Sequence, residues 1–120
     1  MRDMSHVLEL WAGWARSENS GIDYSPVAAG FKGLLQQSSG INLMCSDNDG
    51  LIIESCLSRL KLKKPEEYKL IVLHYFYRVS KRKLASNAKK DEKIIRINIK
   101  MAEGFIEGCL CMLDVSLDMD

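Results

Sequence analysis

The stretch from Ser80 to Gly108 constrains this chain most, because its order of caps, small residues and apolar residues reads as a helix-turn-helix. Ser80 stands where a hydroxyl accepts from the exposed amides of a first helical turn. Leu84, Ala85 and Ala88 follow on one face, and Ala85 is small where a second helix must cross closely. Asp91 is placed to cap that second helix. Ile95, ten residues after Ala85, is placed to insert between the two. A pair of this kind lays its second helix in the major groove of DNA. Lys89 occupies a turn position where such pairs often carry glycine, and a residue held there at positive φ costs about 1 kcal/mol relative to glycine. The turn is therefore expected to be longer or differently shaped.

Charge points the same way. Between Arg78 and Lys100 stand nine bases against two acids, a local charge of +7 over 23 residues in a chain whose net charge is only +1. Concentrated positive charge of this kind neutralises phosphates and releases their counterions. A solvated face on an ordinary helical hairpin would also carry bases, but here the charge coincides with the helix pattern. Lys93, Arg96 and Lys100 fall on the second helix and are expected to face the groove. Lys81, Arg82, Lys83, Lys89 and Lys90 are expected to hold phosphates and set the register without reading bases. Arg96→Ala is accordingly expected to weaken binding to a preferred site more than to random DNA. From Met101 onward there are five acids and no Lys or Arg. An acidic tail beside a basic module can restrain non-specific DNA binding or meet a basic surface on a partner.

At 120 residues, with two prolines and few strand-like alternations, the chain reads as one all-α domain with a modest core. No apolar run reaches the roughly 20 residues needed to span a bilayer. The opening Met1-Arg-Asp-Met-Ser-His lacks the apolar core of a signal peptide. A cytosolic protein is expected, with Cys45, Cys56, Cys109 and Cys111 reduced.

Ahead of the basic module the chain divides into further helices. Asp3 to Glu18 carries Val7, Trp11 and Trp14 on one stripe, as core anchors or as a contact with a partner. Ser25-Pro26 opens a short helix to Leu35, in which Gly30 and Gly33 fit a close backbone approach or a change of conformation. Ser46-Asp-Asn-Asp49 reads as the cap of a third helix running to about Lys61, with Leu51, Ile52, Cys56 and Leu60 inward. A calcium loop is excluded there, because Cys45 and Cys56 would take the first and twelfth positions, which need acids. Pro65-Glu-Glu67 starts a fourth helix whose apolar side is Tyr68, Ile71, Val72, Tyr75 and Phe76, with His74 as a structural residue. The last helix, from about Asp91 to Asp114, is expected to bury Ile94, Ile95, Met101, Ala102, Phe105, Ile106, Cys109 and Leu110. Gly104 and Gly108 mark a place where it can bend. Asp114 to Asp120 reads as a short tail.

No metal or cofactor site is legible. Cys109 and Cys111 point in different directions on a helix, and no pair has zinc-ligand spacing. Phosphate-loop, nucleophile-elbow and zincin patterns are absent, and the paired acids fall in first turns of helices, where capping explains them. Catalysis is not expected.

Several blocks in order resemble one family. Met1-Arg-Asp-Met with Leu8-Glu-Leu-Trp11-Ala-Gly-Trp14-Ala is similar to the start of lambdoid phage and prophage antitermination proteins Q, in the branch that lacks a zinc finger. The blocks Tyr24 to Leu35, Cys45 to Gly50, Ala102 to Gly108 and Asp114 to Asp120 resemble the same family. Pro65 to Ala102 also resembles the fourth region of bacterial sigma factors, a helix pair preceding a helix-turn-helix. The resemblance implies a regulator of late phage genes in the host cytoplasm, which binds a DNA element overlapping the late promoter. It implies engagement of paused RNA polymerase holoenzyme carrying its primary sigma factor, and read-through of pauses and terminators. Some members narrow or extend the RNA exit channel, which makes nascent RNA a further expected partner. The departure from the family lies at Lys89 to Ile95 and bears on which DNA sequence is preferred. Two other readings stand beside this one. The first is a promoter-binding repressor or activator that never leaves DNA with polymerase. The second is an interaction protein whose basic face meets an acidic protein. The Ser25 to Leu35 segment, the tryptophans and the acidic tail are expected to offer polymerase contacts.

Overall fold

Among the described residues, each α-helix of the computed structural model starts at a side-chain cap that the sequence supplies, or at a proline. The structure describes residues 3–17, 27 and 43–119, so the helix expected over Ser25 to Leu35 lies outside the described residues except for Val27. Helix α1 spans Met4–Arg16, α2 Asp47–Lys63, α3 Pro65–Ile71, α4 Lys81–Ala88 and α5 Glu92–Leu113, and no strand occurs among the described residues. Asp3 caps α1 by accepting from the His6 amide at 3.3 Å. Ser46 caps α2 by accepting from the Asp49 amide at 3.2 Å. Helix α3 has no side-chain cap but carries proline in its first turn, where a missing N–H is no loss.

Helix α1 is fastened to α2 by its tryptophans. Trp11 is fully buried and Trp14 nearly so. The Trp11 indole donates to Glu54 Oε1 at 2.9 Å, and that of Trp14 to Asp47 Oδ1 at 2.8 Å. Burial therefore decides between the two roles open to these residues: they are core anchors and offer no surface to a partner. Glycines let backbone come close to α1 both at the start of α2 and just before it. A Cβ on Gly50 would overlap the Trp14 ring, and one on Gly13 would overlap the Leu43 carbonyl.

Helix α2 buries Cys56 and Leu60 as expected, but its inward face is turned from the expected one at its start. Ile53, Cys56, Leu57 and Leu60 are buried, Ile52 is half-buried and Leu51 is exposed. An apolar run such as Leu51-Ile-Ile53 fits two helical phases, and packing against α1, α3 and α5 selects one of them. Burial pushes the Cys56 thiol up to about 11, and no disulfide forms among the four cysteines.

Beyond α3 the chain continues as a π-helical turn over Val72–Phe76. Its wide turn, closed by the Tyr77 amide on the Val72 carbonyl at 3.1 Å, brings Leu73 into the core beside Val72 and Tyr75. Arg16 from α1 donates to the carbonyls of Tyr75 and Phe76 at 3.0 and 2.9 Å. These are carbonyls at the end of the turn, where helical acceptors lack intrahelical partners. His74 Nδ1 lies 2.8 Å from the Val79 carbonyl, which gives this half-buried histidine the structural role expected of it.

The segment after α5 is more than a tail. Asp114, in the left-handed region at φ 52°, ends the helix, and the chain then folds back so that Leu117 is buried. Asp49, fully buried at the start of α2, accepts the amides of Asp118 at 2.7 Å and Met119 at 3.1 Å. Ser46 Oγ donates to Asp118 Oδ2 at 2.7 Å. The acids of the Ser46 to Asp49 cap thus do more than cap: Asp47 holds a tryptophan and Asp49 holds the end of the chain.

Candidate nucleic-acid interface

Helices α4 and α5 form the helix-turn-helix. Ser80 caps α4 by accepting from the Lys83 amide at 3.1 Å, and Asp91 caps α5 by accepting from the Lys93 amide at 2.9 Å. Leu84 and Ala85 are buried between the helices, as is Ile95 at 2% exposure. Ala88, expected on that inner face, is exposed at the end of α4, because α4 stops there and the turn carries the chain away.

The turn is short. Lys89 itself adopts the left-handed conformation, at φ 55° and ψ 43°. The Lys90 amide reaches back to the Ala85 carbonyl at 3.0 Å and the Lys89 amide to Ser86 at 3.2 Å, the paired closure of a Schellman motif. The expectation of a longer or reshaped turn therefore fails. These bonds satisfy two carbonyls at the helix end, and lysine accepts the backbone strain that glycine would avoid.

The basic residues lie around this frame. Lys81 is half-buried and Arg82 and Lys83 are exposed, all in the first turn of α4; Lys89 and Lys90 are exposed in the turn. On α5, Lys93, Arg96 and Lys100 are exposed, and their spacing puts them on one stripe. Arg96 is engaged, donating to Glu92 Oε1 at 3.0 Å. Both groups are solvent-accessible, so the pair contributes on the order of 0–1 kcal/mol and yields readily to a stronger anion.

A second stripe escapes a reading by charge. Ile94 and Met101, expected in the core, are exposed at 44% and 50%, and Ile97 between them at 45%. The buried side of α5 holds Ile95, Ala102, Ile106 and Leu110 as expected, with Ile99 and Glu103 besides, a set whose spacing leaves no room inside for 94, 97 and 101. Phe105 and Cys109 are half-buried and Cys111 is exposed, so those two cysteines do point apart. A Cβ on Gly104 or Gly108 would meet nothing, and α5 runs without interruption through both. The signal for the outer stripe was available in the helical phase set by Ile95: once that residue is inside, Ile97 lies nearly opposite.

No helix among the described residues is long and apolar enough to cross a membrane. The family model for phage antitermination protein Q matches residues 1–118 of the chain. A probable antitermination protein Q of Acyrthosiphon pisum secondary endosymbiont phage 1 is 51% identical over 120 residues, covering 99% of this chain and 81% of that protein. The prophage antitermination protein Q homolog QuuD of Escherichia coli (strain K12) is 37% identical over 120 residues, covering 100% of this chain and 94% of that one. Among solved structures, the fold is similar to that of transcription antitermination factor Q21 in complex with Q21-binding-element DNA. That likeness has a TM-score of 0.69 at 17% identity and covers 91% of this chain and 87% of the other.

Proposed function

Because the chain belongs to the phage antitermination protein Q family, we propose that it is a late-gene antiterminator that docks on promoter-proximal duplex DNA through α4 and α5. It then loads onto RNA polymerase holoenzyme in the host cytoplasm and carries it through pauses and terminators. The observation that supports this reading best is the capped pair α4–α5, with its second helix exposing Lys93, Arg96 and Lys100 on one stripe. Helix α5 enters the major groove with that stripe, while Lys81, Arg82, Lys83, Lys89 and Lys90 bind phosphates on either side. Arg96 exchanges Glu92 for a DNA acceptor on docking.

Transcription by purified holoenzyme from the cognate late promoter through a terminator tests the proposal. The templates carry the upstream element intact or scrambled. Read-through is expected only when both the protein and the intact element are present. Changed initiation with unchanged read-through would reduce the protein to a promoter regulator. Arg96→Ala should lose more affinity for the element than for random duplex, and equal loss on both would make Arg96 a phosphate contact.

A further inference from the structure

Two stripes run side by side along the outer flank of α5. Positions 93, 96 and 100 carry the bases, and positions 94, 97 and 101 carry Ile94, Ile97 and Met101. Each set has the same spacing, so the apolar stripe lies one residue, about 100°, round the helix from the basic one. All three apolar side chains are exposed by 44% or more. Arg96, Ile97, Lys100 and Met101 together line one shallow depression, so the stripes form one surface.

Apolar side chains on a surface helix call for a partner that is itself apolar at that point. A protein partner is disfavoured by the lysines that border the stripe, since Lys is depleted at the centre of protein interfaces. The charge of the module, +7 from Arg78 to Lys100, complements a polyanion instead. Within the major groove of a polyanionic duplex the apolar feature is the C5-methyl group of thymine.

Resting on the reading of α5 as the groove helix, we propose that Ile97, flanked by Ile94 and Met101, packs on thymine methyl groups and is a specificity-determining residue of the DNA contact. The bases hold the helix in the groove, and the apolar stripe selects among the sequences it meets there. The preferred element therefore carries thymine where the middle of α5 faces the groove floor.

The test removes the methyl group without altering base pairing. A duplex selected by the protein from a random pool is resynthesised with each thymine replaced in turn by uracil. The wild-type chain is expected to bind about fourfold more weakly at one or more of these positions, the factor for losing burial of one methyl-sized group. Ile97→Ala should weaken binding to the thymine duplex, erase the difference between thymine and uracil there, and weaken binding to random duplex by a smaller factor. Helical circular dichroism of the variant should match the wild type, since Ile97 lies outside the core. Selective binding that tolerates every uracil, or a thymine preference that survives Ile97→Ala, overturns the proposal. So does a variant whose only change is lost self-association, which would assign the stripe to a second copy of the chain. Absence of selective binding to any duplex would overturn the DNA-binding reading, and this proposal with it.

Discussion

The packing of α1 against α2 and the outer flank of α5 use polar and apolar groups in opposite ways. Around α1 and α2 the polar groups on the core are paired: indoles on Glu54 and Asp47, and Asp49 on two backbone amides. Among the described residues no buried side-chain nitrogen or oxygen lacks a hydrogen-bond partner. On α5 the bases and three large apolar side chains face solvent together. Closed pairing serves stability, because an unpaired buried group costs its full desolvation. A mixed surface open to solvent contributes little to folding and leaves its interactions for a ligand. Substitutions in the two regions should therefore separate stability from binding.

The largest effect is expected at Trp11. Trp11→Ala removes a fully buried ring together with its bond to Glu54, and should cost roughly 3–5 kcal/mol of unfolding free energy in urea. A loss below about 1 kcal/mol would show that the anchor is dispensable. Asp49→Ala comes next, at about 2 kcal/mol, because it leaves two amides without their acceptor. Hydrogen exchange at Asp118 and Met119 should accelerate, and unchanged protection of those amides would remove Asp49 from the role of holding the chain end.

Lys89→Gly sharpens the contrast, since one substitution should move the two properties in opposite directions. Relief of the left-handed lysine should stabilise the fold by about 1 kcal/mol. Loss of the charge should make DNA binding less steeply dependent on salt, by about one unit in the logarithmic slope. A fall in melting temperature would contradict the backbone argument.

The smallest effect concerns His74, where the core meets the helix-turn-helix. Burial lowers its pKa from the ordinary 6.5, with the positive charge of Lys81 adding to the effect and the bond to Val79 opposing it. A histidine with a depressed folded pKa contributes stability that is present above the unfolded value of 6.5 and lost as pH falls through the folded one. Unfolding free energy should therefore decline on acidification below about pH 6.5, and His74→Gln should flatten that decline. An equally steep decline in the variant would assign it to other groups.

The sequence by itself determined where helices α2 to α5 begin. Ser46, Ser80 and Asp91 were legible as caps because a cap bonds within three residues of itself, and Pro65 because its ring restricts its own backbone. The helix-turn-helix, its buried Ile95 and its basic residues were legible for the same reason: the whole motif is local. Tertiary structure alone decided which face of α2 turns inward and what the far ends touch. Leu51 is as apolar as Ile53, and only the packing of neighbouring helices sets the phase that buries one and exposes the other; on α5 the buried Ile95 already fixed a phase that leaves Ile94 and Met101 outside. The fates of Trp11, Asp49, Gly13 and Gly50 depend on residues more than 25 positions away. No local pattern encodes contacts of that range, because they exist only once the chain has folded.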